Sequence, residues 1–246
     1  LVYYPRRAFD LWNTRYFVLP AASGDWSDEE RGYASFLFDV EPVYPTVGQF
    51  EGPDGERARR AWIEDQDYQI FRNLNAYPRA WVVHDARFLP PIQGLSKRDR
   101  KVPYEEMLFQ NDLFWNVPSR PIYNLKSVAF VEVEDPMALS GFLSKLPSDP
   151  SEAVRVITHS PQHIELRVTL KTPGLVVLGD VLYPGWTLTI DQQPAPILRV
   201  NRVMRGAAVE AGSHTLVYRY DPDSFRWGGR LSLAGLALLA SYSAWA

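Results

Sequence analysis

The chain carries four histidines, His84, His159, His163 and His214, and none stands in a metal-ligand spacing such as His-Glu-x-x-His. It has no cysteine, which removes thiolate zinc sites and thiol nucleophiles together. Carboxylates are plentiful at Glu64, Asp65, Asp67, Glu105, Glu106, Glu132 and Glu134. A glycosidase would need two of them about 5 to 10 Å apart across a cleft, a distance that spacing along the chain does not supply. Glu132 and Glu134 alternate along a strand-like segment and are expected on its solvated face. There is no Gly-x-Ser-x-Gly, Walker or dinucleotide fingerprint, and Gly52-Pro53-Asp54-Gly55 reads as a turn. No catalytic and no metal-binding residue is therefore assigned.

The residues left with something to offer are suited to recognition. Tyr183 and Trp186 flank a Pro-Gly turn, where an indole either stacks on the apolar face of a sugar or plugs the end of a core. Asp180, Asn201 and Arg205 are polar residues inside otherwise apolar strands, so each needs a partner if buried. Asp180 and Arg205 form either a pair tying two strands together or part of a small polar pocket beside Trp186. Arg79, just after the bend at Tyr77-Pro78, completes the candidate glycan-binding or structural cluster.

The elements that must position these residues fall into two units. Residues 1–150 have a mixed texture that predicts an α+β unit. Trp12 to Leu19 is strand-like, Gly24 to Arg31 is a polar connection, and Glu56 to Asp67 suits a charged helix. Tyr68 to Asn73 and Ala80 to His84 read as strands separated by the proline bend. Pro103 is placed to open a helix running toward Trp115, Val128 to Glu134 returns to strand alternation, and Met137 to Leu146 suits a short helix. The breaker-rich Pro147-Ser148-Asp149-Pro150-Ser151 marks the boundary. Residues 151–224 alternate with period two through about seven short strands, which predicts an antiparallel β-sandwich. The run Leu175 to Leu178 is continuously apolar, as a strand covered on both faces would be.

The 246 residues, 46% hydrophobic and 22% charged, are ample for a folded core, and a net charge of -3 gives no basic footprint for nucleic acid. From Leu231 to Ala246 there is no charge, and Gly, Ala, Ser and Leu dominate. This run has no polar face, so residues 225–246 are expected to be the start of a truncated transmembrane helix; a buried C-terminal helix of a soluble protein is the other reading. The chain opens at Leu1 without a signal-peptide pattern and is expected to be an excerpt.

Several segments together resemble a known family. Pro173-Gly174-Leu175-Val176-Val177-Leu178 with Asp180, then Tyr183-Pro184-Gly185-Trp186, Asn201, Arg205-Gly206 and Tyr218-Arg219-Tyr220-Asp221-Pro222 resemble the C-terminal extracytoplasmic part of the YfhO family of bacterial multi-spanning membrane proteins. Upstream, Asp10-Leu11-Trp12-Asn13-Thr14-Arg15-Tyr16, Arg72-Asn73 and Tyr77-Pro78-Arg79-Ala80 resemble shorter segments of the same family. The resemblance implies a GT-C-like glycosyltransferase of the bacterial cell membrane that takes sugar from a polyprenyl-phosphate donor. In that family the catalytic acid lies in an early loop between spans, so no cofactor and no catalytic residue is carried over to this chain.

Its expected role is then positioning, acceptor binding or structural bracing on the extracytoplasmic side. The implied partners are its own transmembrane bundle, a glycan or lipid-linked sugar, and the membrane. Arg226 and Arg230 would lie on the outer flank of the span, against the usual inward bias of Lys and Arg. A carbohydrate-binding or cell-surface module without catalytic linkage is the alternative, and a soluble glycoside hydrolase the third class.

Overall fold

Alternation of exposed and buried side chains builds the first sheet. The computed structural model describes residues 6–20, 39–46, 48–65, 67–89, 91 and 123–245. The chain separates into two units, one of residues 1–79 with 92–126, the other of residues 80–91 with 127–246. In the first, helix α1 (Arg6–Leu11) precedes β1 (Tyr16–Pro20), followed by β2 (Val40–Tyr44), helix α2 (Gly55–Glu64) and β3 (Tyr68–Asn73). The three strands are antiparallel in the order β1-β3-β2. In β1, Phe17 and Leu19 are buried while Tyr16 and Val18 are exposed, as a half-buried strand requires. Phe17 packs edge-on against Phe9 of α1 with ring centroids 6.1 Å apart. On α2, Glu56 sits in the first turn and pairs with Arg60 one turn on, an exposed contact worth a few tenths of a kcal/mol.

Buried polar groups bind α1 to the end of β3. Asn73 Nδ2 donates to Asp10 Oδ1 at 2.7 Å and to the Thr14 carbonyl at 2.8 Å. The Tyr77 N–H donates to the Asp10 carbonyl at 2.8 Å, and the Asn73 N–H to the Arg15 carbonyl at 2.8 Å. Asp10 and Asn73 are both buried, so these bonds offset a desolvation penalty that neither residue could bear alone.

The second unit contains eleven strands among its described residues. These are β4 (Ala80–Val83), β5 (Asp85–Leu89), β6 (Val128–Glu132), β7 (Ala153–His159), β8 (His163–Leu170), β9 (Gly174–Val181), β10 (Trp186–Ile190), β11 (Gln193–Ala195), β12 (Leu198–Val200), β13 (Met204–Val209) and β14 (Gly212–Tyr220). One sheet runs β11-β10-β14-β8-β7 and the other β4-β9-β13-β12-β6-β5. Their inward residues share one apolar cluster: Ile164, Leu166 and Val168 of β8 and Leu216 of β14 meet Val176 and Leu178 of β9 and Ala207 and Val209 of β13. Leu175 to Leu178 are fully buried, so β9 is covered on both faces as its apolar run predicts. The two-residue loop Asp191-Gln192 joins β10 to β11 with both residues at positive φ, the geometry that matches strand twist. The chain then ends in helix α3 (Asp223–Trp245).

Four expectations need amendment. The strands expected at Ala80 to His84 and Val128 to Glu134 in the α+β unit, together with β5, which the sequence reading did not pick out, hydrogen-bond into the six-stranded sheet with β9, β12 and β13. Partner choice in a sheet is long-range, and no local pattern encodes it. Residues 151–224 form eight strands, β7 to β14, rather than about seven, and all their mutual pairings are antiparallel, the parallel pair β5–β6 lying outside them. Where a helix was expected over Met137 to Leu146, a 3-10 helix runs over Pro136–Phe142, opened by Asp135, whose side chain accepts from the Met137 N–H. Glu132, expected in solvent, is 5% exposed and takes Arg202 at 3.1 Å and Arg199 at 3.6 Å, because β12 lies beside β6 in register Arg199↔Glu132. The polar connection Gly24 to Arg31 and the helix expected from Pro103 lie outside the described residues.

The end of β4 is stapled to the start of β7 and β9 by a buried ion pair. His84 Nε2 donates to Glu152 Oε2 at 2.8 Å and His84 Nδ1 meets the Pro173 carbonyl at 3.0 Å, with both side chains 1% exposed. Glu152 also accepts from the N–H groups of Asp149, Lys171 and Thr172. Burial alone pushes the Glu152 carboxyl up, but the His84 bond, the two backbone donors of Lys171 and Thr172 and the His84 charge outweigh it and hold the group below the usual carboxylate range. A depressed folded-state value stabilises the protein above the unfolded carboxylate pKa, and that contribution is lost as pH falls through and below about 4.3. Urea unfolding followed from pH 7 to pH 3 is expected to show a shallower acid loss in Glu152→Gln than in the parent chain. Equal acid slopes would remove Glu152 from this role.

Candidate functional site

The turn Tyr183-Pro184-Gly185-Trp186 and the segment Tyr220-Asp221-Pro222, far apart in sequence, form one object. β10 and β14 pair with Trp186 opposite Tyr220, and the Asp221 N–H donates to the Gly185 carbonyl at 2.8 Å. Gly185 has φ +102°, and a Cβ there would meet Pro222 Cβ at 2.8 Å and Tyr220 Cε2 at 2.9 Å. Only glycine satisfies both the dihedral and the close approach. The three rings pack mutually, Tyr183 with Trp186 at 6.2 Å, Tyr183 with Tyr220 at 5.2 Å and Trp186 with Tyr220 at 5.4 Å between centroids.

Arg205 enters this cluster from β13, in the other sheet. Its guanidinium carbon stands 3.6 Å from the Trp186 ring centroid and 5.9 Å from that of Tyr183. Nε and Nη2 donate to the Val181 carbonyl at 3.1 and 3.0 Å. The residue is 2% exposed. Burial lowers the guanidinium pKa, and the charge of Asp180 acts against that shift. A bulge on β9 sets this up: Arg205 pairs with Leu178 but Met204 with Val181, so Gly179 and Asp180 are the extra residues. Asp180 Oδ2 accepts from His159 Nε2 at 3.0 Å. Beneath the cluster lies Tyr218, fully buried, whose phenol is pushed up by burial.

Asp180, Tyr183, Trp186 and Arg205 are thus brought together, while the other two candidates lie elsewhere. Asn201 begins the β12–β13 loop at φ +47°, where its N–H donates to the Phe130 carbonyl at 2.6 Å and its Oδ1 accepts from the Phe130 N–H at 3.0 Å. It extends the ladder to β6 and does not join Arg205. Arg79 belongs to the first unit. Tyr220 and His159 belong to the cluster although residue type alone does not single them out. The signal for Tyr220 was its place in an alternating strand opposite the Pro-Gly turn.

The indole of Trp186 carries Arg205 on its ring and is flanked by both tyrosines, which leaves Tyr183, 42% exposed, as the outward ring of the group. What this arrangement does is brace: it ties the two sheets at the corner where α3 departs. The first turn of α3 is tied in as well, since Arg226 Nε donates to Asp221 Oδ1 at 2.9 Å and Arg226 Nη2 donates to Asp221 Oδ2. Among the described residues no group of three or more His, Asp or Glu is placed to hold a metal ion.

Along α3 the large apolar side chains are in the open among the described residues. Phe225, Trp227, Leu231, Leu233, Leu236, Leu238, Leu239, Tyr242 and Trp245 are all exposed. Ser241 and Ser243 turn their hydroxyls onto the carbonyls of Ala237 and Leu239 at 2.8 and 2.9 Å, which satisfies them within the helix. No helix among the described residues is long and apolar enough to cross a membrane.

Compared with protein-family models, with curated proteins and with solved structures, the chain matches none of them.

The Arg205–Trp186 contact is expected to show a coupling of about 1 kcal/mol or more in a double-mutant cycle of Arg205→Met and Trp186→Leu followed by urea unfolding. Additive single effects would mean that the two residues act independently. Gly185→Ala is expected to lower stability by about 1 to 3 kcal/mol through backbone strain and the clash with Pro222; a neutral substitution would show that the corner relaxes freely.

Proposed function

We propose that this chain is the extracytoplasmic, C-terminal region of a bacterial multi-spanning membrane protein resembling the YfhO family and, through it, the GT-C glycosyltransferases. Its second unit is read as a β-sandwich that braces, or presents acceptor to, a membrane-embedded sugar-transfer site built by other parts of the protein. The fragment itself carries no catalytic residue in this reading, and the polyprenyl-phosphate sugar donor would be handled elsewhere.

The observation that carries the proposal is α3. A helix docking on protein exposes one apolar stripe, whereas α3 is uncharged and rich in exposed apolar side chains from Leu231 onward, and Ser241 and Ser243 satisfy their hydroxyls within the helix. Lipid is the surrounding that suits such a surface. The uncharged residues 231–245 span about 22 Å at 1.5 Å per residue, short of the ~30 Å hydrocarbon core, so the helix as it stands enters the bilayer without crossing it. Arg226, Arg230 and Trp227 lie at its base, with the Arg230 guanidinium 5.2 Å from the Trp227 ring centroid, a composition suited to the headgroup level.

Flotation with phosphatidylcholine vesicles tests this. The 246-residue chain is expected to float with the vesicles, and a variant ending at Pro222 to remain in the aqueous fraction. If both stay aqueous, the membrane reading fails and the enzymatic context falls with it.

A further inference from the structure

Residues from three upstream segments, 10–16, 72–73 and 77–80, line one cavity in the first unit. Its volume is about 450 Å³, within the range of small-molecule sites, and Asn13, Arg15, Tyr16, Arg72, Asn73 and Tyr77 line it.

The floor is rigid. Asn73 uses Nδ2 on Asp10 and Thr14 and its Oδ1 on the Asn75 N–H, Asn13 donates Nδ2 to the Tyr77 carbonyl, and Tyr77 is itself buried. Asn13 holds φ +58°, a conformation asparagine tolerates better than most residues, and its N–H bonds the Asp10 carbonyl at 3.1 Å. Preorganisation of this kind lowers the ordering cost of binding.

The rim is chemically distinct from the floor. The β1–β3 register sets Tyr16 directly opposite Arg72, so the two side chains share one face, and Arg15 precedes them on the same segment. Arg72 shares one edge with Glu41 of β2, and a guanidinium with five N–H donors keeps others for a second acceptor. Asn13 retains Oδ1 as an acceptor and Tyr16 contributes a phenol. Two planar cations beside an acceptor and a hydroxyl suit a ligand that carries both an oxyanion and hydroxyl groups.

We propose that this cavity binds a hydroxyl-bearing oxyanion, the phosphate ester or carboxylate of a small polyol, with Arg15 and Arg72 on the anionic group and Tyr16 and Asn13 on the hydroxyls. The site lies wholly within the first unit and owes nothing to α3, so its failure would leave the vesicle result untouched.

Calorimetric titration of the full chain with glucose 1-phosphate, glucuronate, inorganic phosphate and glucose tests it. Saturable binding of glucose 1-phosphate or glucuronate is expected, weakened at least 10-fold in Arg15→Met and in Arg72→Met, with Arg72→Lys intermediate. Arg15 and Arg72 are exposed, and unchanged circular dichroism of the variants would show that the fold persists. Glucose binding as tightly as its phosphate would overturn the oxyanion assignment, and inorganic phosphate binding as tightly as the ester would overturn the role of the hydroxyls. Absence of saturable binding by either anionic sugar, or variants that bind like the parent, would overturn the site.

Discussion

A buried arginine between two sheets is a costly object, and the second unit is organised around Arg205. Taking a guanidinium out of water costs several kcal/mol unless other groups replace the lost solvation. Here the replacements are the face of Trp186, the Val181 carbonyl and the nearby charge of Asp180. Each comes from a different constraint: Trp186 from a glycine turn, Val181 and Asp180 from the bulge on β9. Removing any one would leave the cation under-compensated in a low-dielectric corner. The same corner receives Asp221, whose N–H bonds Gly185 and whose carboxylate holds Arg226, so the direction in which α3 leaves the sheet follows from how Arg205 is housed.

That dependence explains why two blocks of sequence separated by more than thirty residues stand or fall together. Tyr183 to Trp186 makes no stable corner without Pro222 and Tyr220 to lie against Gly185, and α3 has no fixed start without the corner. A surface tryptophan free to stack on sugar is a different device, needing an open ring face. Trp186 has Arg205 over its ring, and the exposed aromatic surface passes to Tyr183.

How much of this was legible beforehand divides by the range of the interaction. β8 and β14 were readable because each buries alternate residues, and β9 because four consecutive apolar residues need cover on both sides. Helix α2 was readable from its charged run and the glycine turn before it. The places of β4, β5 and β6 were not, since nothing in Ala80 to Val83 says that its neighbour is β9, about ninety residues on. Glu132 looked solvated because its strand alternates; the arginines that bury it come from β12 and the loop after it. At the candidate site the polar residues Asp180 and Arg205 were read as needing partners if buried, and His159 and the Val181 carbonyl bond them. That Asn201 instead caps β6 depended on its backbone lying at φ +47° next to Phe130, which no spacing rule contains.

The first unit shows the opposite balance between type and position. Asp10, Asn13 and Asn73 are poor formers of regular structure, and residue type alone gives them no particular place in the fold. In the fold they are held in place, because Asn13 and Asn73 donate to the backbone carbonyls of Tyr77 and Thr14 and the Asp10 carboxylate accepts from Asn73. Arginines in the same segments have no such duty: Arg72 sits half in solvent and Arg15 is exposed, both on the wall of one cavity. Arg205 is silenced by its surroundings and serves the architecture, whereas Arg15 and Arg72 keep donors at an accessible rim. Contrast in burial, rather than in residue type, is what separates a bracing arginine from a ligand-facing one in this chain.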